Sequence, residues 1–273
     1  MIPNHWLIRP VLLLGVLALC SAATQPGTYL REQRSVTVGG VAEAWQLVWE
    51  AKPQPICGPD DVEMAMTCPC TGWAYGEMGK LSLVRKRGGQ EIDRLALGQF
   101  FGDLPASKSA GLAAMQWRPV AFGDLERLQD DSSAASPELL TAIRKRKGTR
   151  VMDLVDYDHD GVASEFLVQV SAGPCGHTAY VAVGVSKTRP RLHALTTARD
   201  PGTPLVMPGS AWTALAAARR PVAVTRWPCG DHGAEEREEL LVGATGGAIS
   251  VRHRRYTCPE DGSPEKLLGD EPL

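Results

Sequence analysis

Polar and apolar residues alternate along much of the chain, or apolar residues form short β-branched runs, and turn-forming residues separate these stretches. A period of two is typical of strands that place one face on a core and the other in solvent. Gly88-Gly89 and Gly246-Gly247 predict two-residue hairpin turns between neighbouring strands. The strands predicted on this basis are 44–50, 63–67, 80–86, 91–97, 150–155, 165–170, 179–185, 222–227, 238–242 and 248–256.

Helical patterns are few. Ser136-Pro137-Glu138 supplies a capping residue, a first-turn proline and an acid, which together predict a short helix over 139–147. Ser210 predicts the cap of a second helix over 211–219. The fold class that follows is all-β and mainly antiparallel, with one or two short helices.

An internal repeat accompanies these elements. Residues 140–143 resemble 212–215, an offset of 212 − 140 = 72, and 165–168 resemble 239–242 after two inserted residues. Quasi-repeats near 42–97, 137–187 and 208–258 predict stacked or β-propeller-like sheets, because one such unit cannot bury its own apolar face. The alternative is chance similarity between β-hairpins.

The first residues predict a signal peptide over 1–22. The apolar run over 11–19 follows Arg9 and is too short to span a bilayer, which needs about 20 residues, and small residues suited to cleavage follow it. The remainder, 23–273, is predicted to be a single β-rich domain, secreted or periplasmic, without a transmembrane helix. The alternative is a lipoprotein anchored through Cys20, although Leu19 is bulky for that role.

The cysteines and the charge narrow the function classes. A net charge of −2 without a long basic run disfavours nucleic-acid binding. Six cysteines beyond Cys20 indicate disulfides in an oxidising compartment rather than zinc ligands, since Cys68-Pro69-Cys70 has a single intervening residue. The predicted pairs are Cys229 with Cys258, and Cys57 with Cys68 or Cys70, Cys175 taking the one that remains.

The most specific motif is the acidic loop Asp156-Tyr157-Asp158-His159-Asp160-Gly161. Carboxylates at alternate positions turn several oxygens toward one point, and the glycine permits the sharp turn. Three anions this close repel one another, so a bound cation is the simplest explanation. A donor set made only of oxygen suits calcium rather than zinc.

The loop resembles the DxDxDG calcium loops. It departs from the EF-hand because Leu167 stands at the twelfth position and the flanks are β-rich. Strand–loop–strand versions resemble the FG-GAP or VCBS repeats of integrin-type β-propellers, in which a later acid completes the cage. Glu165 takes that place here, one residue later than is usual in those repeats. The resemblance implies these ligands: the side chains of Asp156, Asp158, Asp160 and Glu165 and the carbonyl of Val162. The alternative is an acidic turn without an ion.

These features favour a calcium-binding protein with a non-catalytic binding or adhesion role toward an extracellular or envelope ligand. The alternative is an exported hydrolase that uses Asp231 and His232, in the loop that begins at Cys229. A disulfide-pinned turn with an exposed histidine is the favoured interpretation of that loop, because the sequence offers no third ligand or nucleophile motif beside it.

Overall fold

The computed structural model describes residues 27–56, 73, 76–102, 111–119, 124, 137–172 and 177–273. The helices are α1 (Pro137–Lys145) and α2 (Gly209–Ala217), and 3-10 turns span Leu97–Phe100 and Asp231–Gly233. The strands are β1 (Tyr29–Val38), β2 (Val41–Trp49), β3 (Gln54–Pro55), β4 (Gly76–Gly79), β5 (Leu81–Arg87), β6 (Gln90–Ala96), β7 (Ala113–Gln116), β8 (Glu165–Ala172), β9 (Thr178–Gly184), β10 (His193–Ala194), β11 (Val206–Pro208), β12 (Val222–Trp227), β13 (Glu236–Thr245), β14 (Ala248–Thr257) and β15 (Leu267–Pro272).

The described strands form four sheets, and every ladder in them is antiparallel. The N-terminal sheet has the order β1-β2-β5-β6, and a three-stranded sheet has the order β3-β4-β7. In the middle sheet β9 pairs with β8, β10 and β11, and the C-terminal sheet is the meander β12-β13-β14-β15. The all-β class is therefore confirmed. The sheets of the described part do not close into a barrel or a propeller.

The middle sheet is buried on both faces. Phe166 and Val168 of β8 and Val183 of β9 face a core shared with the N-terminal and three-stranded sheets. On the opposite face, Ala182 belongs to a second core, in which α2 packs its Trp212 among residues of β13 and β14. Burial on both sides explains why β8 and β9 are nearly continuous apolar runs rather than alternating ones.

The two predicted hairpin turns are confirmed. Gly246 and Gly247 join β13 to β14 with φ angles of 57° and 90°, and Gly88-Gly89 joins β5 to β6 in the same way. Positive φ at both central residues is the geometry that a two-residue turn of matching twist requires, and glycine adopts it without steric cost.

The predicted strand over 150–155 is wrong. In that segment only Val155 pairs, by an isolated bridge to Glu165. The amides of Val151 and Met152 instead donate to the two carboxylate oxygens of Glu32 in β1, at 2.7 and 3.1 Å. A side chain thus takes the place of a partner strand.

Other predicted elements compare as follows. Both helices begin two residues earlier than predicted, and α2 has Pro208 as its N-cap rather than Ser210. The strand predicted over 63–67 and the signal peptide lie outside the described residues. Helix α1 is followed by β8 and β9, and α2 is followed by β12, β13 and β14; the repeat itself stays a prediction. In the described part, no helix is both long and apolar enough to cross a membrane.

Candidate metal centre

The acidic loop is closed at its base by backbone hydrogen bonds. Val155 donates to the carbonyl of Glu165 at 2.8 Å, and Glu165 donates back to Val155 at 3.1 Å. This bridge holds the two ends of the loop together, and it places Glu165, the first residue of β8, next to Val155 at the start of the loop. The last predicted ligand is thereby placed against the first.

Carboxylates also shape the loop from within. Asp156 accepts hydrogen bonds from the amides of Asp160 and Gly161 at 3.0 and 2.9 Å, and Asp158 Oδ1 accepts the Asp160 amide at 3.0 Å. His159 adopts a φ of +56°, which is uncommon for a residue other than glycine. The loop therefore converges on its own acids, as the alternation of aspartates predicts.

Three of the acids meet at one point. Carboxylate oxygens of Asp156, Asp158 and Glu165 lie within 4.8 Å of one another. Asp158 is 1% exposed and Glu165 is fully buried, whereas Asp156 is half-buried. Glu165 accepts hydrogen bonds from the Ser164 hydroxyl at 2.8 Å and from the Tyr157 amide at 3.0 Å. In contrast, Asp158 Oδ2 is buried and has no hydrogen-bond partner.

Burial makes this cluster costly to ionise. It raises the pKa of Glu165 to about 8, and the nearby charge of Asp158 adds to the increase, while the Ser164 hydroxyl opposes it. Burial also raises the pKa of Asp158, while the Ser186 hydroxyl and the Asp160 amide oppose the increase. Without a cation, the folded protein is therefore expected to hold a proton in this cluster near neutral pH.

Asp160 and Val162, the other predicted ligands, have different surroundings. The carboxylate of Asp160 accepts the amides of Val162 and Lys187, at 2.8 and 2.6 Å. The Lys187 ammonium donates to the main-chain oxygen of Asp160. The Val162 carbonyl lies 3.4 Å from the Ser164 hydroxyl. Asp160 is not one of the three clustered acids, and metal ligation by Asp160 and by Val162 stays a prediction.

Parts of the chain that are distant in sequence pack around the loop. The Gly247 amide donates to the carbonyl of Asp158 at 2.9 Å, so the turn between β13 and β14 rests on the loop. On the other side, the Ser186 hydroxyl lies 3.4 Å from Nε2 of buried His193. Burial lowers the pKa of His193, which favours its neutral form. The spacing of residues in the sequence carries no sign of these neighbours.

The loop of the alternative hydrolase prediction is described in part. Cys229 and Cys258 form the predicted disulfide, with Cα atoms 5.6 Å apart, while the pairings predicted for the other cysteines lie outside the described residues. Asp231 Oδ2 lies 3.1 Å from Nε2 of His177, which sequence spacing did not single out as its partner. The side chain of His232 lies outside the described part.

Comparison with protein-family models, with curated proteins and with solved structures finds no match for this chain. The resemblance of the acidic loop to DxDxDG calcium loops therefore remains a prediction from the motif.

Proposed function

We propose that Asp156, Asp158 and Glu165 hold a calcium ion in an exported β protein with a non-catalytic binding role. The observation that carries the proposal is Asp158 Oδ2, a buried carboxylate oxygen with no hydrogen-bond partner, in a cluster of three acids. A buried charged oxygen without a partner is costly, and a cation at the centre of the cluster would remove that cost.

A hard cation with flexible coordination fits the donors best. The three clustered side chains offer only carboxylate oxygens, which calcium prefers to the nitrogen and sulfur ligands of zinc. Asp156 is half-buried, so water can complete the coordination on its side. Magnesium demands stricter octahedral geometry and loses its water reluctantly, so we expect weaker binding of magnesium.

The role that we assign to this ion is structural. The loop lies between β8 of the middle sheet and the turn of β13 and β14, which contacts it through the Gly247 amide. An ion in the loop would stiffen this contact between two sheets. Export is supported by the disulfide between Cys229 and Cys258, because such bonds persist in oxidising compartments.

Terbium luminescence tests the proposal directly. Terbium replaces calcium at oxygen sites and is excited by nearby aromatic rings, and Tyr157 lies within the loop, 5.4 Å from the Trp212 ring. We expect sensitised emission that calcium displaces at lower concentration than magnesium, together with calorimetric heat on adding calcium to chelator-treated protein. Absence of both the emission and the heat would leave an acidic turn that binds no ion.

A further inference from the structure

A second concave site lies away from the metal centre. It is a cleft of about 470 Å³ between the middle sheet, the start of α2 and strand β12 of the C-terminal sheet. That volume falls within the range of small-molecule sites, which often lie between packed units. Tyr180 of β9 and Gly209 of α2 lie on one side, and Arg226 and Trp227 of β12 lie on the other.

Both basic side chains of the cleft contact an acid. His177 stacks on the Trp227 ring with centroids 4.2 Å apart and lies 3.1 Å from Asp231. Arg226 lies 3.4 Å from Glu238, and its side chain is 47% exposed. The planar guanidinium carries five donors, so one contact with Glu238 leaves others for a ligand.

The remaining lining is polar but not acidic. Ser171, Thr178, Ser210 and Thr225 also line the cleft, and none of the described residues that line it is an aspartate or a glutamate. Tyr180 and Val206 add apolar surface. Although Asp231 and Glu238 contact the two basic side chains, the Arg226 guanidinium keeps further donors in a concavity whose described lining contains no acid, which favours an anion. The apolar surface favours a ligand with a hydrocarbon or ring portion.

We propose that this cleft binds a small organic anion, whose carboxylate or phosphate group contacts Arg226 and His177 while its apolar portion lies against Tyr180. None of the described residues that line the cleft is one of the three clustered acids of the metal centre.

The indole of Trp227 is the reporter for the experiment. Its Nε1 donates to the carbonyl of Asp231 at 3.1 Å, and Trp227 lines the cleft, so its indole N–H resonance in a nitrogen–proton spectrum senses a bound ligand. Benzoate and phenyl phosphate are titrated separately, which distinguishes carboxylate from phosphate recognition, and benzyl alcohol serves as the neutral probe. We expect one or both anions to shift this resonance, and benzyl alcohol to shift it little at equal concentration.

Charge variants complete the test. Arg226→Gln should weaken anion binding roughly tenfold or more, the value of a charge-assisted hydrogen bond, and Arg226→Lys should restore part of it. Arg220→Gln changes an exposed arginine before β12 and should bind as the wild type does. The proposal is overturned if neither anion shifts the indole, if benzyl alcohol binds as tightly as benzoate, or if Arg226→Gln binds both anions unchanged.

Discussion

Replacing Asp158 with asparagine separates the two electrostatic effects at the metal centre, which are repulsion between the carboxylates and their attraction for calcium. The amide keeps the shape of the side chain and an oxygen for the Asp160 amide, but it removes the charge next to Glu165. In chelator, wild type carries repulsion between two buried acids whose oxygens lie within 4.8 Å. Two full charges at that distance repel by about 3 kcal/mol at an effective dielectric constant of about 20.

The effect of Asp158→Asn should therefore change sign with calcium. At pH 8.5, where Glu165 with its pKa of about 8 is mostly ionised in the ion-free fold, we expect the variant to be about 1–3 kcal/mol more stable than wild type in chelator. Calcium at a hundred times its dissociation constant should stabilise wild type by about 2.7 kcal/mol, or roughly 5–11 °C in melting temperature, whereas the variant should gain little.

Differential scanning calorimetry measures the stability of wild type and of Asp158→Asn, each with chelator and with calcium. Asp153→Asn is the matched control, because Asp153 is a largely exposed aspartate just before the loop, with a side chain 75% exposed, and it should change neither result. If Asp158→Asn keeps the full calcium response, Asp158 does not bind the ion. If the variant is less stable than wild type in chelator at pH 8.5, Asp158 does not carry an uncompensated charge.

Three further outcomes are expected. Because the pKa of Glu165 is raised from 4.5 to about 8, the folded state holds a proton there that the unfolded chain has lost. Stability in chelator should therefore fall between pH 4.5 and 8, by up to about 1.4 kcal/mol per pH unit, and Glu165→Gln should flatten this slope in urea titrations. Serine at both Cys229 and Cys258, which are separated by 29 residues, should cost about 3–4 kcal/mol in urea unfolding. Arg85→Met should cost about 3–5 kcal/mol in urea unfolding, because it removes two hydrogen bonds from the buried Glu43 carboxylate and leaves it with the half-exposed Arg87 and the Trp45 indole.

Each of these outcomes has a control or a contrary result. Arg94→Met breaks an exposed pair with Glu91 and should cost no more than about 1 kcal/mol; an equal cost for both arginine variants would contradict the role of burial. A stability profile in chelator that rises between pH 4.5 and 8 would contradict the pKa assigned to Glu165. Unchanged unfolding of the serine variant under oxidising conditions would show that the disulfide is not formed in solution.

Features that depend on a few neighbouring residues could be predicted from sequence. The glycine pairs at 88–89 and 246–247 specify two-residue turns, because positive φ at both positions is a local requirement. The acidic loop turns its carboxylates inward because aspartate side chains accept amides two to five residues away, as Asp156 and Asp158 do. The Cys229–Cys258 pair followed from the hairpin between them.

Features that depend on distant parts of the chain required the tertiary structure. Strand β1 carries many charged residues and was not predicted, yet its Glu32 accepts the amides of 151 and 152 and thereby prevents the strand expected there. The motif marked Glu165 as a candidate ligand, but only packing between two cores buries it and raises its pKa. His177 and Asp231 are 54 residues apart, from 231 − 177, and meet because the middle and C-terminal sheets pack together. Sequence therefore determined which oxygens gather in the loop. The tertiary structure decided which of these carboxylate oxygens are shielded from water, because the sheets packed around the loop bury them.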